Sequence, residues 1–199
     1  MSGRLLLSVD ASLQRMRDTE REVLTLEPIA DVPEVGRWLS AMEDGRRDTL
    51  RELETVTREM VDWRPDAPLN SIGTLVYHIA LVEADWLLQD IQSRDYPGWL
   101  RDLLPYPARD DRHHLTHVEG QPLQQHLDRL AAIRTFLLEE LRAMRADDFH
   151  TPRVRERYDV SPAWVLHHLL QHEAEHRSHI AWLRDTYGGH ADGVRLAGS

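Results

Sequence analysis

Four long stretches of this sequence repeat their apolar residues at the spacing of an α-helix, and this periodicity restricts the fold more than any other feature. They cover about residues 33–62, 71–95, 122–144 and 161–187. Ser71 and Ser161 are suited to cap the second and fourth helices, and the proline after Ser161 suits a first helical turn. No convincing strand pattern accompanies the helices. The sequence therefore predicts an all-α fold, an antiparallel four-helix bundle.

The regions outside these helices define the expected domain organisation. A long connection, about residues 93–121, crosses from the second helix to the third and is rich in proline and charge. Connections of this length are often functional or partly helical. The fourth helix is expected to end at Gly188 and Gly189, because glycine favours helix C-termini. We expect residues 1–30 to form an N-terminal arm or an extra helix over about residues 11–26, residues 31–190 to form the bundle domain, and residues 191–199 to form a tail.

Composition excludes several classes of protein. The 199 residues are 41% hydrophobic, which is enough for one core. The formal net charge of -10 disfavours a nucleic-acid partner, because phosphate-binding proteins usually carry a basic surface. No apolar run is long enough to cross a membrane or to form a signal peptide, so we expect a cytoplasmic protein that acts on a small molecule. The absence of cysteine and lysine excludes thiolate zinc sites, a cysteine nucleophile and Schiff-base catalysis.

Two histidines of the fourth helix carry the strongest chemical signal. His172 and His176 lie four residues apart, so their imidazoles share one helical face, one turn apart. Val165 and Leu169 lie on roughly the same face, which predicts that the pair points into the bundle. Buried imidazoles need partners, and a divalent metal ion would supply one to both. The alternative is a solvated histidine-rich face or a pair of satisfied core histidines; His168 extends the row and favours the metal.

A third ligand is expected from another helix. His78 lies in an otherwise apolar part of the second helix, where a lone histidine is more often a satisfied core residue. Beside a helix that carries two histidines, it becomes the natural third ligand. Three protein ligands leave metal positions open for water or substrate, as in catalytic sites. Zinc and nickel are the first candidates for the ion, and iron, manganese and copper are the alternatives.

The stretch from His172 to His176 also satisfies the HExxH motif of zinc proteases, in which Glu173 would be the general base. The motif is short, and the sequence has no glutamate after Glu175 to serve as a further ligand. The glycine and histidine that the longer form of the motif requires are also missing, and so is a strand that could bind a peptide. The sequence therefore argues against a protease, and Glu173 is kept only as a candidate catalytic base.

Two segments of the chain resemble the DinB/YfiT-like superfamily of small metal-binding helix bundles. They are residues 71–80, SIGTLVYHIA, and residues 161–180, SPAWVLHHLLQHEAEHRSHI. The resemblance covers about residues 33–189, including the long connection and the lead into the third helix. Ser178 and His179 stand where glycine and glutamine are common at the end of the family's signature.

The resemblance implies a site, a fold and a chemistry. The family's three metal-binding histidines correspond to His78, His172 and His176, and His168 corresponds to a histidine that is common near the site. The implied fold is an up-down-down-up four-helix bundle that often forms homodimers. Relatives include mycothiol- and bacillithiol-dependent transferases and isomerases, in which the metal lowers the pKa of a bound low-molecular-weight thiol. A chain without cysteine is compatible with that role.

Three functions remain open at this stage. The first is a metal-dependent thiol S-transferase, with His168 or His179 as a proton relay. The second is a metal-dependent hydrolase, in which Glu173 or Glu175 activates bound water. The third is a non-catalytic stress-response protein, in which the metal mainly joins two helices.

The long connection contributes further candidates. Its arginines are suited to bind carboxylates of a thiol cofactor; those singled out are Arg101, Arg109 and Arg112. Its histidines are expected to lie on the loop surface rather than to form a second metal site; they are His113, His114 and His117.

Overall fold

The computed structural model describes residues 23–65 and 69–197, and most of them are helical, as the periodicity predicts. The elements, in chain order, are α1 (Pro33–Leu53), α2 (Arg58–Asp62), α3 (Ile72–Asp85), a π-helical segment (Trp86–Ile91), α4 (Gly98–Leu103), α5 (Leu123–Leu141), α6 (Ala146–His150), β1 (Arg153–Val154), β2 (Asp159–Val160) and α7 (Pro162–Ala197). No helix in the described part of the chain is both long and apolar enough to cross a membrane.

The helix starts follow the residue types that the sequence places there. The Ser71 hydroxyl accepts a hydrogen bond from the Thr74 N–H at 3.2 Å, and the Ser161 hydroxyl accepts one from the Trp164 N–H at 3.2 Å. Each serine thereby satisfies a backbone donor that the first helical turn leaves free. Pro162 occupies the first position of α7, where its missing N–H has no consequence. The two predicted caps are confirmed.

Several boundaries differ from the sequence-based expectation. The first predicted helix is divided into α1 and α2, because the chain turns at residues 54–57 and buries Val56 in the core. α7 continues through Gly188 and Gly189, because glycine lowers helix propensity by only about 1 kcal/mol and does not force a stop. The expectation of no strands was wrong, because β1 and β2 form an antiparallel hairpin. Strands of two residues are too short to show an alternating pattern in the sequence.

Two further expectations concern the long connection and the N-terminal region. The connection is partly helical, since it contains α4. Residues 11–22 of the expected N-terminal helix lie outside the described residues, and residues 23–29 have no regular secondary structure.

The long helices pack in a fixed set of pairs. α1 packs against α7, and α3 packs against both α5 and α7. Their buried apolar residues form two clusters. α7 contributes Val165 and Leu169 to one cluster and Ile180 and Leu183 to the other. The stretch of α7 between the clusters carries the histidines and the glutamates. The helices therefore bring polar groups together between two apolar regions.

The long connection is held against α3 and α5 by buried polar groups. The Tyr77 hydroxyl donates to the Tyr106 carbonyl at 2.9 Å and accepts from the Tyr106 N–H at 2.8 Å. The Arg129 guanidinium donates to the Leu103 carbonyl at 2.9 Å and lies 4.8 Å from the centre of the Tyr77 ring. The Val118 N–H donates to the Thr74 hydroxyl. These contacts place the connection beside the helix that carries His78.

Candidate metal centre

Three histidines from two helices converge on one point. His78 of α3 is 8% exposed, and His172 and His176 are half-buried on α7. The ring centre of His78 lies 5.1 Å from that of His172 and 5.2 Å from that of His176. The ring centres of His172 and His176 are 4.4 Å apart. One nitrogen from each residue lies within 4.8 Å of the other two. The structure thus brings together the three residues that the sequence singles out, and this group could hold a metal ion.

The nitrogen spacing fits a shared cation. The Nε2 atoms of His172 and His176 are 3.1 Å apart. Two nitrogens that each lie about 2.1 Å from one zinc ion would be about 3.0 Å apart in octahedral and about 3.4 Å apart in tetrahedral coordination. The Nδ1 atoms of His78 and His176 are buried without a hydrogen-bond partner among the described residues. A metal ion bound by both Nε2 atoms would be a suitable partner for His172 and His176; because one imidazole binds an ion through one nitrogen, the unpaired Nδ1 of His176 would face away from that ion.

The protonation states also suit a metal. Burial lowers the pKa of His78 to about 4, with a smaller contribution from the nearby His176. Burial and the neighbouring imidazoles lower the pKa of His172 to about 3, and burial together with His179 lowers that of His176 to about 4. All three imidazoles are consequently neutral at pH 7. Metal binding requires neutral imidazole, so no proton has to be displaced.

His168 and His179 lie on either side of the ligand pair along α7. The His168 ring is stacked on Trp164, with centres 5.2 Å apart and planes at 9°, and it lies 5.9 Å from the His172 ring. The His179 ring is exposed to solvent and lies 5.8 Å from the His176 ring. Both are close enough to affect the site, and His179 is the more exposed of the two.

Glu173 occupies a different environment from the histidine that precedes it. Its carboxylate is buried and accepts hydrogen bonds from Arg46 at 2.7 Å and from Arg134 at 3.0 Å. Burial alone would raise its pKa, but the two guanidinium groups outweigh that effect and lower it. A carboxylate that two arginines hold in its charged form is a weak base. Glu175, the other glutamate of the motif, is exposed.

This glutamate belongs to a closed ring of four buried charged side chains, which we call the polar layer. It consists of Arg46, Glu83, Arg134 and Glu173, contributed by α1, α3, α5 and α7 respectively. Each arginine bridges both glutamates, at nitrogen–oxygen distances from 2.7 to 3.0 Å. The sequence reasoning missed this layer. A signal was available, because Arg134 lies beside the buried Ile133 on an apolar helical stripe.

An aromatic group near the histidines was also missed. Trp86, Tyr158 and Trp164, here called the aromatic cleft, come from the π-helical segment, the approach to β2 and the first turn of α7. Trp86 lies 5.5 Å from Trp164 and 6.1 Å from Tyr158 between ring centres. These tryptophans look like ordinary helix residues in the sequence, since only the fold places them together.

The candidate residues of the long connection fall into different places. Arg109 lies close enough to His78 for its charge to lower the histidine's pKa. Arg101 lines a cavity of about 530 Å³ beside Tyr106, and Arg112 is exposed. The three histidines of the connection, His113, His114 and His117, are exposed. Their exposure agrees with the expected loop surface.

These observations define the class: a helical protein with a buried three-histidine cluster that could hold a metal ion. A family model described as the DinB superfamily matches residues 41–180, which is more than half of the chain and includes all three histidines. The chain therefore belongs to the DinB superfamily.

One solved structure supports the same fold. It is a conserved protein from Enterococcus faecalis, which is 15% identical, superposes with a TM-score of 0.60, and is matched over 74% of this chain and 92% of its own. At this level of identity the likeness concerns the fold alone. A search among curated proteins found no significant match.

Proposed function

We propose that this protein is a metal-dependent thiol S-transferase in which His78, His172 and His176 hold one divalent metal ion. The observation that carries the proposal is the convergence of three neutral imidazoles from two helices on one point. Zinc and nickel are the first candidates for the ion, because imidazole suits both. The resemblance to thiol-dependent transferases supports the choice of a low-molecular-weight thiol as the second reactant.

The proposed reaction forms a thioether. A divalent cation at the three histidines would lower the pKa of the thiol, so that its thiolate is populated at neutral pH. The sulfur then forms a bond to an electrophilic carbon, and the bond from that carbon to its leaving group breaks. The leaving group departs with the bonding electron pair, and the thiol proton goes to solvent. We assign the passage of this proton to His179, which is exposed beside His176; His168, on the other side of the ligand pair, is the alternative relay.

The hydrolase alternative has less support. It needs a carboxylate that can take a proton from water at the histidine cluster. Glu173 is bound by Arg46 and Arg134, and Glu175 is exposed. If hydrolysis were observed and the alanine variants of both glutamates kept full activity, neither carboxylate would be the base.

A carboxylate on the thiol would find suitable partners in the long connection. Arg109 lies near His78. Arg101 borders the cavity beside Tyr106 and is exposed. Guanidinium groups bind carboxylates with two parallel hydrogen bonds. We therefore propose these two arginines as the contacts for the thiol's acidic groups.

We also propose the up-down-down-up four-helix bundle and the homodimer that the superfamily resemblance implies. The pairing of α1 with α7, and of α3 with α5 and α7, supports the bundle. Light scattering on a size-exclusion column tests the dimer, since a single mass of about 23 kDa, the mass of one chain, would refute it.

The experiment that tests the function combines metal analysis with a conjugation assay. Untagged protein is purified, its metal is quantified, and it is supplied with a bacterial thiol and 1-chloro-2,4-dinitrobenzene, which releases chloride on conjugation. We expect His78→Ala, His172→Ala and His176→Ala each to lose both metal and conjugation. His167→Ala is the matched control, because His167 is an exposed histidine of the same helix.

Two results would contradict the proposal in different ways. Full metal content in all three variants would refute the site. Metal-loaded protein that conjugates none of several thiols to any electrophile would refute the transferase. If chelation then caused a large loss of melting temperature, the non-catalytic role, in which the ion joins α3 and α7, would be the better explanation.

A further inference from the structure

A cavity of about 390 Å³ opens beside the first turn of α7, within the usual size range of small-molecule sites. The aromatic cleft forms one wall, and Pro152 and Val160 contribute further apolar surface. The cavity lies outside the histidine cluster, since none of the three proposed ligands lines it. Its position and lining raise the question of what it binds.

Three of the polar side chains at the cavity are already engaged with protein. His150 lies 3.0 Å from a carboxylate oxygen of Glu34, and the Tyr158 hydroxyl donates to Asp90 at 2.7 Å. The Ser161 hydroxyl accepts from the backbone at the start of α7. What remains for a ligand is the face of the aromatic rings and the exposed Asp159 carboxylate at the rim. Flat aromatic surfaces favour an aromatic partner through offset or edge-to-face packing.

His168 connects the cleft to the proposed metal site. Its ring lies 4.8 Å from Trp86 and 5.2 Å from Trp164 on one side, and 5.9 Å from His172 on the other. A single imidazole thus separates the aromatic wall from a proposed ligand.

We propose that the aromatic cleft binds the uncharged aryl group of the electrophilic substrate. This assignment rests on the proposed transferase function and supplies its second substrate class. With an aryl chloride, the thiol sulfur bonds to the ring carbon, the carbon–chlorine bond breaks, chloride leaves with the electron pair, and the thiol proton goes to solvent. The cleft recognises the ring, and the histidine cluster is the place where the thiol meets it.

The first test measures binding without reaction. The probe is 1,3-dinitrobenzene, which has the aryl ring but no leaving group, and binding is followed by the indole N–H signals of the six tryptophans. The signals of Trp86 and Trp164 should shift, and those of Trp99 and Trp182 should not. Shifts confined to the other four tryptophans would overturn the assignment.

Trp164→Ala and Trp182→Ala form a matched pair of variants. Both residues lie on α7, both are 49% exposed, and they are about five helical turns apart on the same side. Since both are half exposed, neither replacement should prevent folding. We expect Trp164→Ala to weaken dinitrobenzene binding at least about tenfold and Trp182→Ala to leave it unchanged. Equal binding by the two variants would refute the cleft.

The charge of the ligand is tested with benzyltrimethylammonium and benzenesulfonate. We expect both to bind more weakly than dinitrobenzene. Tenfold tighter binding of the cation would overturn the assignment in favour of an ammonium ligand, with Asp159 at the cavity as its counter-charge. Tighter binding of the anion would overturn it as well.

A second pair of measurements separates this inference from the proposed function. His172→Ala should abolish conjugation and keep dinitrobenzene binding, because the cleft does not include the histidine cluster. Trp164→Ala should raise KM for 1-chloro-2,4-dinitrobenzene at least about tenfold and leave metal content and KM for the thiol unchanged. Wild-type KM in this variant would refute the cleft while the transferase stands. Dinitrobenzene binding without any conjugation would refute the transferase while the cleft stands.

Discussion

The pH dependence of zinc affinity provides a direct test of the histidine cluster. Metal and protons compete for the same imidazole nitrogens, so affinity falls with the fraction of sites in which all ligands are neutral. Three ordinary histidines with a pKa of about 6.5 would all be neutral at pH 5 in only about 3 of 100,000 molecules. Their zinc affinity would therefore fall by more than about 10⁴-fold between pH 7 and pH 5.

The buried cluster should behave differently. With pKa values of about 4 for His78, about 3 for His172 and about 4 for His176, about 0.8 of the molecules have all three ligands neutral at pH 5. We therefore expect zinc affinity to change less than about twofold between pH 7 and pH 5. The cause is burial, which opposes a positive charge on each ring before any ion binds.

Equilibrium dialysis in a non-coordinating buffer measures this effect. Zinc is quantified on both sides of the membrane at pH 7, 6 and 5, and circular dichroism confirms that the helices persist at each pH. His78→Ala shows how much of the signal depends on the cluster. A loss of affinity of one hundredfold or more in folded wild-type protein would refute the reasoning, because it would mean that the imidazoles carry protons at pH 5.

Three further outcomes follow from the buried groups. In metal-free protein, the free energy of unfolding measured with urea should fall as the pH drops from 6.5 toward 4, because the unfolded chain then binds protons that the folded cluster refuses; a flat profile would contradict the depressed pKa values. Glu173→Gln should lower the free energy of unfolding by about 3–5 kcal/mol, because it leaves buried guanidinium charge uncompensated. The control Glu52→Gln, at a partly exposed ion pair, should lower it by less than about 1 kcal/mol. Equal losses in the two variants would mean that the charges of the polar layer are not tightly coupled. Gly36→Ala should lower the free energy of unfolding by about 1–3 kcal/mol, because the new Cβ would lie 2.8 Å from the Ala30 backbone nitrogen. In the control Gly45→Ala, the new Cβ meets only the tip of one leucine side chain. Similar melting temperatures for the two variants would argue against close packing at Gly36.

The histidine cluster was predictable because its signal is local. His172 and His176 are one helical turn apart, and a helix places them on one face whatever the rest of the fold does. His78 was predictable from its apolar surroundings together with the family resemblance. For the polar layer the local signal was Arg134 on an apolar stripe, which does not identify its partners, because members of the layer such as Arg46 and Glu173 are 127 positions apart in the chain. Only the packing of the helices reveals that their charges meet.

The helices themselves were predictable for the same reason, and their ends were less so. Ser71 and Ser161 act within one turn, and both caps are present in the structure. The division of the first helix depends on burying Val56 against distant residues, which local propensity does not reveal. The aromatic cleft is likewise a product of packing, since its three rings come from separate elements.

The polar layer explains how the two helices that carry the histidines keep their alignment. Buried ion pairs add little net stability, because desolvation offsets much of their attraction, but they are specific about geometry. Sliding α7 by one turn past the other three helices would move Glu173 by about 5.4 Å and break its contacts with both arginines. Since His172 adjoins Glu173 and His78 lies five residues before Glu83 on α3, the same contacts fix the relative position of the imidazoles. The layer therefore holds the three histidines together against the cost of burying them, so that the proposed ion would meet a site that is already formed.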